Sequence, residues 1–96
     1  MNLVQRTEMH KELCKKLNEI YEIKNRKYGN SFVNTYEEYG PAMLCIRLDD
    51  KLSRAKQLLL HGEIGTEDES VIDTLIDLAN YALMGVMVIE NRGNIE

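Results

Sequence analysis

The sequence predicts an all-α fold for this chain of 96 residues: a helical bundle of three long helices and one short helix. Apolar residues recur every three or four positions along three long stretches, which is the spacing of one face of a helix. No stretch shows the sustained alternation of apolar and polar residues that marks a strand. One proline and six glycines are few enough for helices. We expect a single domain over residues 1–96.

The first long helix is predicted over residues 7–28, and the apolar residues at positions 3 and 4 are able to extend it backwards. Residues 29–40 are then expected to form a loop that contains one helical turn. Thr35 and Glu38 have the spacing of a capping box for that turn. This turn is the short helix of the predicted bundle.

The second long helix is predicted over Pro41–His61, because proline suits the first helical position and Gly62 suits the helix end. One side of this helix is apolar and the other is charged. The apolar side holds Leu44, Cys45, Leu48, Leu52, Ala55 and Leu59. The charged side holds Arg47, Asp50, Lys51 and Arg54.

The last long helix is predicted over residues 67–91, where Thr66 and Glu69 have capping-box spacing. Apart from a stripe of polar residues, nearly every residue from 71 to 89 is apolar, so this helix is expected to be central and mostly buried. A bundle this short with such an apolar last helix is expected to be completed by oligomerisation through it.

The bulk composition limits the partners and the compartment. Sixteen acidic residues against 12 basic ones argue against a nucleic-acid polymer as partner. Cys14 and Cys45 fall on apolar faces without metal-binding spacing, so we expect reduced core residues. The N-terminus lacks the apolar run of a signal peptide, and the apolar run at residues 81–89 is too short to span a bilayer. These features predict a cytoplasmic protein with no membrane partner.

A stripe of polar residues on the last helix is the most informative feature of the sequence. Its members, spaced by 4, 4 and 3 residues, are Glu69, Asp73, Asp77 and Asn80. This spacing places them on one narrow helix face. The short connection before them predicts that the last two helices pack as antiparallel neighbours. The acidic stripe and the charged side of the second long helix are therefore complementary.

Two interpretations of these complementary faces stay open. In the first, carboxylates hold Mg²⁺ or Mn²⁺, and the candidate metal ligands are Asp50, Glu69, Asp73 and Asp77. The catalytic candidates among them are Asp50, Asp73 and Asp77. Phosphate oxygens would then bind Arg47, Lys51 and Arg54, while Asn80 would contact a base edge or a sugar hydroxyl. In the second interpretation the faces form interhelical salt bridges and nothing more, and Glu69 serves as a helix cap.

A second constellation is the segment KNRKYGNSF, residues 24–32, at the end of the first helix. It combines basic, amide and aromatic side chains, which are the parts that nucleotide sites use for phosphates, base edges and base stacking. The nucleotide-binding candidates are Lys24, Asn25, Tyr28 and Asn30. The alternative is a solvated helix end, where basic residues favour the helix dipole.

Three segments in this order, KNRKYGNSF, IRLDDKLSR and DESVIDTLIDLANYALM, resemble the phage and bacterial family called nucleotide modification associated domain 1. The resemblance covers roughly residues 18–90. That family is similar to the all-α nucleoside triphosphate pyrophosphohydrolases of the MazG and dimeric dUTPase-like group. Those proteins assemble as dimers or tetramers and bind Mg²⁺ through ExxE and ExxD motifs on successive helices. The resemblance therefore implies a MazG-like fold and a homodimer or homotetramer.

The motif residues carry over with substitutions. Asp73 corresponds to the aspartate of ExxD, and Asn80 corresponds to an asparagine often seen in that group. Ser70 stands at the glutamate position of ExxD, with Glu69 one residue earlier. On the preceding helix, Arg47 takes the place of the first glutamate of ExxE. Only Asp50 keeps a carboxylate at a matching position, that of the second glutamate. Asp77 is an additional carboxylate.

The resemblance implies a Mg²⁺-dependent (deoxy)nucleoside triphosphate pyrophosphohydrolase that converts a nucleoside triphosphate to the monophosphate and pyrophosphate. Its place would be nucleotide-pool control or modified-nucleotide metabolism. The alternative is a non-catalytic helical module that binds a nucleotide or a nucleotide-modifying enzyme. Binding of Mg²⁺ or Mn²⁺ by the acidic stripe separates the two, because a salt-bridged stripe would ignore both ions.

Overall fold

The computed structural model describes residues 1–62 and 69–90, with the backbone alone at positions 69 and 70. This part of the chain contains helices and no strand, which confirms the predicted all-α class with three long helices and one short one. The helices are α1 (Leu3–Tyr28), α2 (Ser31–Tyr39), α3 (Pro41–His61) and α4 (Glu69–Glu90). The capping box predicted at Thr66 lies outside the described residues.

Helix α1 begins at Leu3 because the preceding residue, Asn2, supplies an N-terminal cap. The Asn2 side-chain oxygen accepts a hydrogen bond of 2.8 Å from the backbone N–H of Gln5. The Gln5 side chain in turn accepts one of 2.9 Å from the backbone N–H of Asn2. This reciprocal pair satisfies two backbone donors, so the helix starts earlier than position 7. It ends at Tyr28, as predicted, before Gly29 with its positive φ of 62°.

Residues 29–40 are more helical than predicted: the short helix exists, but it fills most of a segment expected to be a loop with a single helical turn. Helix α2 has 9 residues. Thr35 does not cap a helix, because its hydroxyl donates a hydrogen bond of 2.7 Å to the Ser31 carbonyl within α2. Phe32 and Tyr36 are half-buried, and α2 packs against α3. Tertiary packing of this kind stabilises a helix that would be too short to form alone.

Helices α3 and α4 share the most extensive interface of the bundle. Leu44 lies against Gly85, whereas Lys51 pairs with Asp77, so the two helices run antiparallel as predicted. Helix α3 has the predicted bounds, with proline at its start. The core is small. Its buried apolar residues are Met43, Ala55, Val71, Ile76 and Val88.

Helix α4 is much less buried in the single chain than its composition predicts, so the expectation of a central, mostly buried helix is wrong at this level. The exposed apolar residues of α4 are Ile72, Leu75, Leu83, Val86, Met87 and Ile89. The other helices cover one side of it and leave this second apolar side uncovered.

Within the described part of the chain, Val71–Glu90 is long and apolar enough to cross a membrane, with a mean hydropathy of 1.5. The core helix of a soluble protein meets the same criterion, so this is weak evidence for a span. Asp73 and Asp77 also lie within this segment. The absence of a membrane partner stays a prediction.

Both cysteines are free and exposed, so their predicted place in the core is wrong. Cys14 belongs to the first half of α1, where residues 1–16 are all exposed. Cys45 follows the half-buried Leu44, and the turn of about 100° per residue moves its side chain away from the core. Leu52 is also exposed, which shows that the buried face of α3 is narrower than its apolar stripe.

Gly85 lies at a close contact between α4 and α3. A Cβ atom there would stand 2.9 Å and 3.0 Å from the two methyl carbons of Leu44. We expect Gly85→Val to lower the free energy of unfolding by about 1–3 kcal/mol, because its branched side chain overpacks this contact. Gly85→Ala should cost less, since Leu44 can rotate and alanine gains about 1 kcal/mol of helix propensity.

Urea denaturation followed by circular dichroism would measure these two variants. Ala82→Val is a suitable control, because Ala82 is exposed on the same helix. Equal losses for Gly85→Val and Ala82→Val would contradict the packing explanation.

Candidate functional site

A cleft of about 410 Å³ lies among the four helices, and we call it the central cleft. Its volume is within the range of about 300–1,000 Å³ that is usual for small-molecule sites. The C-terminal half of α1 forms one wall, and α2, α3 and α4 complete the others. Its charged and amide side chains are Lys24, Asn25, Arg47, Lys51, Asp77 and Asn80. Its aromatic side chains are Tyr21, Tyr28, Phe32 and Tyr81.

Asp77 occupies the electrostatic centre of this cleft. Its Oδ1 atom accepts a hydrogen bond of 2.9 Å from Lys24 Nζ on α1. Its Oδ2 atom accepts one of 3.0 Å from Lys51 Nζ on α3. A single carboxylate therefore joins three helices and holds one ammonium group at each of its two oxygens. Arg47 lies one helical turn before Lys51 and adds a third cation to the same cleft.

The pKa values of Asp77 and Lys24 shift in the directions that an ion pair produces. Partial burial raises the pKa of Asp77, but the hydrogen bonds and positive charges of Lys24 and Lys51 outweigh burial and hold it below the ordinary 3.8. The hydrogen bond to Asp77 raises the pKa of Lys24 above 10.5, although burial opposes it. Asp77 and Lys24 are consequently charged at neutral pH.

Asn80 is buried between α4 and α1. Its Nδ2 donates a hydrogen bond of 3.2 Å to the backbone carbonyl of Leu17. This contact fixes α1 against α4 about two helical turns before Lys24. Asn80 also lines the cleft, so the residue that fixes two walls against each other is itself part of the site.

Several aromatic residues of the cleft were not among the predicted site residues. Phe32 and Tyr81 stack with their ring centroids 6.0 Å apart and an angle of 24° between the rings. Tyr81 follows Asn80 directly and stands four positions after Asp77. That spacing puts Tyr81 on the same face as Asp77, so the helical period alone was sufficient to find it. The same signal was present for Tyr21, because it precedes Lys24 by three positions and Tyr28 by seven, which places it on their helix face.

The structure brings the two predicted constellations into one site. Seven predicted residues line the central cleft, namely Lys24, Asn25, Tyr28, Arg47, Lys51, Asp77 and Asn80. Asn30 lies in an adjoining cleft. Asp50, Arg54 and Asp73 are exposed on α3 and α4 and do not line the central cleft. The side chain of Glu69 is outside the described residues.

The carboxylates do not form a metal site in the described part of the chain. No group of three or more His, Cys, Asp or Glu side chains is placed there to hold an ion. Both oxygens of Asp77 are already bonded to lysine. The described side chains of one chain therefore do not fit Mg²⁺, and they fit an anion much better. The predicted role of magnesium stays a prediction.

Comparison with known families gives one match. The family model described as nucleotide modification associated domain 1 matches residues 24–89. This range covers more than half of the chain, and it includes all three residues of the Lys24–Asp77–Lys51 cluster. No curated protein and no solved structure matches the chain.

Proposed function

The chain belongs to the nucleotide modification associated domain 1 family, and from this membership together with the central cleft we propose that it binds the phosphate groups of a nucleotide. The observation that carries the proposal is the convergence of Lys24 and Lys51, from different helices, on one carboxylate at 2.9 Å and 3.0 Å. Two ammonium groups spaced to hold one anion are also spaced to hold a phosphate group.

A phosphate ligand would replace the carboxylate of Asp77 as the partner of these lysines. Lys51 is well placed for this exchange, because its side chain is only 28% exposed and its charge is less screened by water than a surface charge. Arg47 can add a forked pair of donors to a second phosphate oxygen or a second phosphate group. A ligand with several phosphates, such as a nucleoside triphosphate, uses all three cations.

The aromatic wall of the cleft favours a nucleotide over inorganic phosphate. Tyr21, Tyr28 and Phe32 stand beside the cations, and the planar faces of such side chains are suited to stacking on bases. Tyr28 is 60% exposed, so its ring is accessible to a ligand. Membership of a family associated with nucleotide modification agrees with this choice of ligand.

The second candidate function is Mg²⁺-dependent hydrolysis of a (deoxy)nucleoside triphosphate to the monophosphate and pyrophosphate. Acidic residues that neighbour Lys51 and Asp77 along their own helices favour it. Asp50 directly precedes Lys51, and Asp73 stands one turn before Asp77. Glu69 lies one further turn back. A metal site would need these carboxylates to be completed by the triphosphate itself or by a second copy of the chain.

We also propose that the chain forms a homodimer or homotetramer. The uncovered apolar side of α4 supports this, since six large apolar residues there are exposed in one chain. A contiguous apolar surface on a small protein is typical of an interaction site.

The proposal is tested by isothermal titration calorimetry with a panel of deoxynucleoside triphosphates and the matching nucleosides, first in EDTA. We expect the triphosphates to bind, the nucleosides to bind much more weakly, and the difference to shrink as salt rises. Equal affinities for nucleoside and triphosphate would contradict the proposed phosphate site.

The same panel with Mg²⁺, and then with Mn²⁺, tests hydrolysis when products are resolved by chromatography. Release of monophosphate and pyrophosphate that is lost in Asp73→Asn would support the second candidate. If folded protein binds triphosphate in EDTA but shows no turnover with either metal, nucleotide binding would remain as the only supported function.

A further inference from the structure

A second cleft of about 240 Å³ adjoins the central one, and we call it the side cleft. The two clefts share several lining residues, among them Tyr21, Asn25 and Phe32. The side cleft continues past Phe32 towards Val33 on α2 and towards the C-terminal half of α4. The two clefts therefore adjoin along these shared residues.

The two clefts differ sharply in charge. The central cleft has four charged lining residues, which are Lys24, Arg47, Lys51 and Asp77. None of the residues that line the side cleft is charged. Its walls are aromatic rings, valine and methionine side chains, a glycine and two amides, Asn25 and Asn30. The pair of clefts thus presents a cationic end and a neutral, mostly apolar end with hydrogen-bonding groups.

We propose that the side cleft receives the base of the nucleotide whose phosphates bind in the central cleft. This inference rests on the proposed function and adds the position of the base and the residues that contact it. A nucleotide has the same division of chemistry as the two clefts, with anionic phosphates at one end and a flat, uncharged base at the other. Its sugar would cross the shared region beside Phe32.

Phe32 is the group best placed to stack on the base. Its ring lines both clefts, and it is supported from the central side by the stacked ring of Tyr81. Rings held in this way lose little further freedom when a base packs on them. Met84, which lines both clefts, and Val33 provide apolar contacts around the same plane.

Asn25 and Asn30 supply the hydrogen bonds that would read the base edge. An asparagine amide offers two donors and one acceptor oxygen, which matches the mixed edges of nucleobases. Asn30 is the N-terminal cap residue of α2, yet its side chain makes no capping hydrogen bond. Its amide is therefore not committed to the helix end beside the side cleft.

The test compares each deoxynucleoside triphosphate with inorganic tripolyphosphate, by calorimetry in EDTA. For the wild-type chain we expect the preferred nucleotide to bind roughly 5- to 150-fold more tightly, because a stacked base contributes affinity that tripolyphosphate lacks. Val33→Trp should fill the side cleft and bring nucleotide affinity down to that of tripolyphosphate, whose own affinity should not change. Asn34→Trp is the matched control, since Asn34 is exposed on the same helix and lines neither cleft.

A second variant covers the case in which Val33→Trp does not fold. Asn30→Ala removes an exposed side chain and should weaken nucleotide binding about 2- to 10-fold without changing tripolyphosphate binding. Equal affinity of the wild-type chain for nucleotides and tripolyphosphate would overturn the base site and leave the phosphate site intact. Binding of neither ligand would overturn the proposed function as well.

Discussion

Replacing Lys51 by methionine is expected to weaken binding of a nucleoside triphosphate by roughly 10- to 150-fold, the loss typical of a hydrogen bond to a charged group. Methionine keeps much of the length and apolar stem of lysine while it removes the charge. Lys51 is the more buried of the two lysines that hold Asp77. Its ammonium group is therefore screened less by water than that of Lys24, and its removal should have the larger effect.

Lys56→Met is the matched control for this prediction. It removes the same charge from the same helix, at an exposed position that does not line the central cleft. Calorimetry in EDTA at two salt concentrations would compare both variants with the wild-type chain. Equal weakening by the two substitutions would mean that triphosphates respond to net charge alone, and the central cleft would lose its assigned role. Circular dichroism would confirm that each variant is folded.

The contact between Lys51 and Asp77 was within reach of the sequence. Both residues belong to charged faces with helical spacing, and the connection between their helices is short enough to force antiparallel packing. Pro41 and Gly62 mark the ends of α3 by backbone chemistry alone, and the structure confirms both ends. Such helix-end signals depend on a few neighbouring residues, so helix ends can be predicted without knowledge of the tertiary fold.

The contact between Lys24 and Asp77 was not within reach of the sequence, because 53 positions separate the two residues. The path of α1 across the bundle decides that contact, and it depends on packing such as the Asn80–Leu17 hydrogen bond. For the same reason, the sequence identified both halves of the site without showing that they meet. It left Asp77 open as a metal ligand or a salt-bridge partner, and the structure places two lysine ammonium groups on this carboxylate.

Burial is the property that the sequence predicts least well. An apolar stripe indicates that a helix face is buried against other residues. It does not show whether those residues belong to the same chain or to another chain. The uncovered side of α4 and the exposure of Leu52 both follow from this ambiguity. Cys14 shows a second limit, because apolar periodicity continues along a part of α1 that has no buried residue.

The substitution Asp77→Asn gives the sharpest distinction between an anion site and a metal site. If the carboxylate competes with phosphate for Lys24 and Lys51, its neutralisation should strengthen binding of tripolyphosphate in EDTA. One unit charge at about 4 Å in water is worth about 1 kcal/mol, so we expect roughly a 5-fold gain. If Asp77 serves mainly as a metal ligand, the variant should instead lose Mg²⁺-dependent binding without any gain in EDTA.

Asp49→Asn removes the same charge from an exposed position outside the central cleft and serves as the control. A gain of similar size in Asp49→Asn would show that the overall charge of the chain, and not competition at the lysines, controls phosphate affinity. A gain confined to Asp77→Asn would mean that the carboxylate occupies the place of the ligand.

The substitution Asp77→Asn should also lower the free energy of unfolding, in a defined pH range. The folded-state pKa of Asp77 lies below the ordinary 3.8, so its ion pairs contribute stability above that value and lose it as pH falls through the folded-state pKa. At pH 7 the free energy of unfolding should fall by roughly 0.5–1 kcal/mol, a small loss because Lys24 is half-exposed. Urea denaturation at pH 7 and at successive values below pH 4 should show this difference shrinking. A difference that persisted unchanged into acid would mean that Asp77 stabilises the bundle by packing rather than by charge.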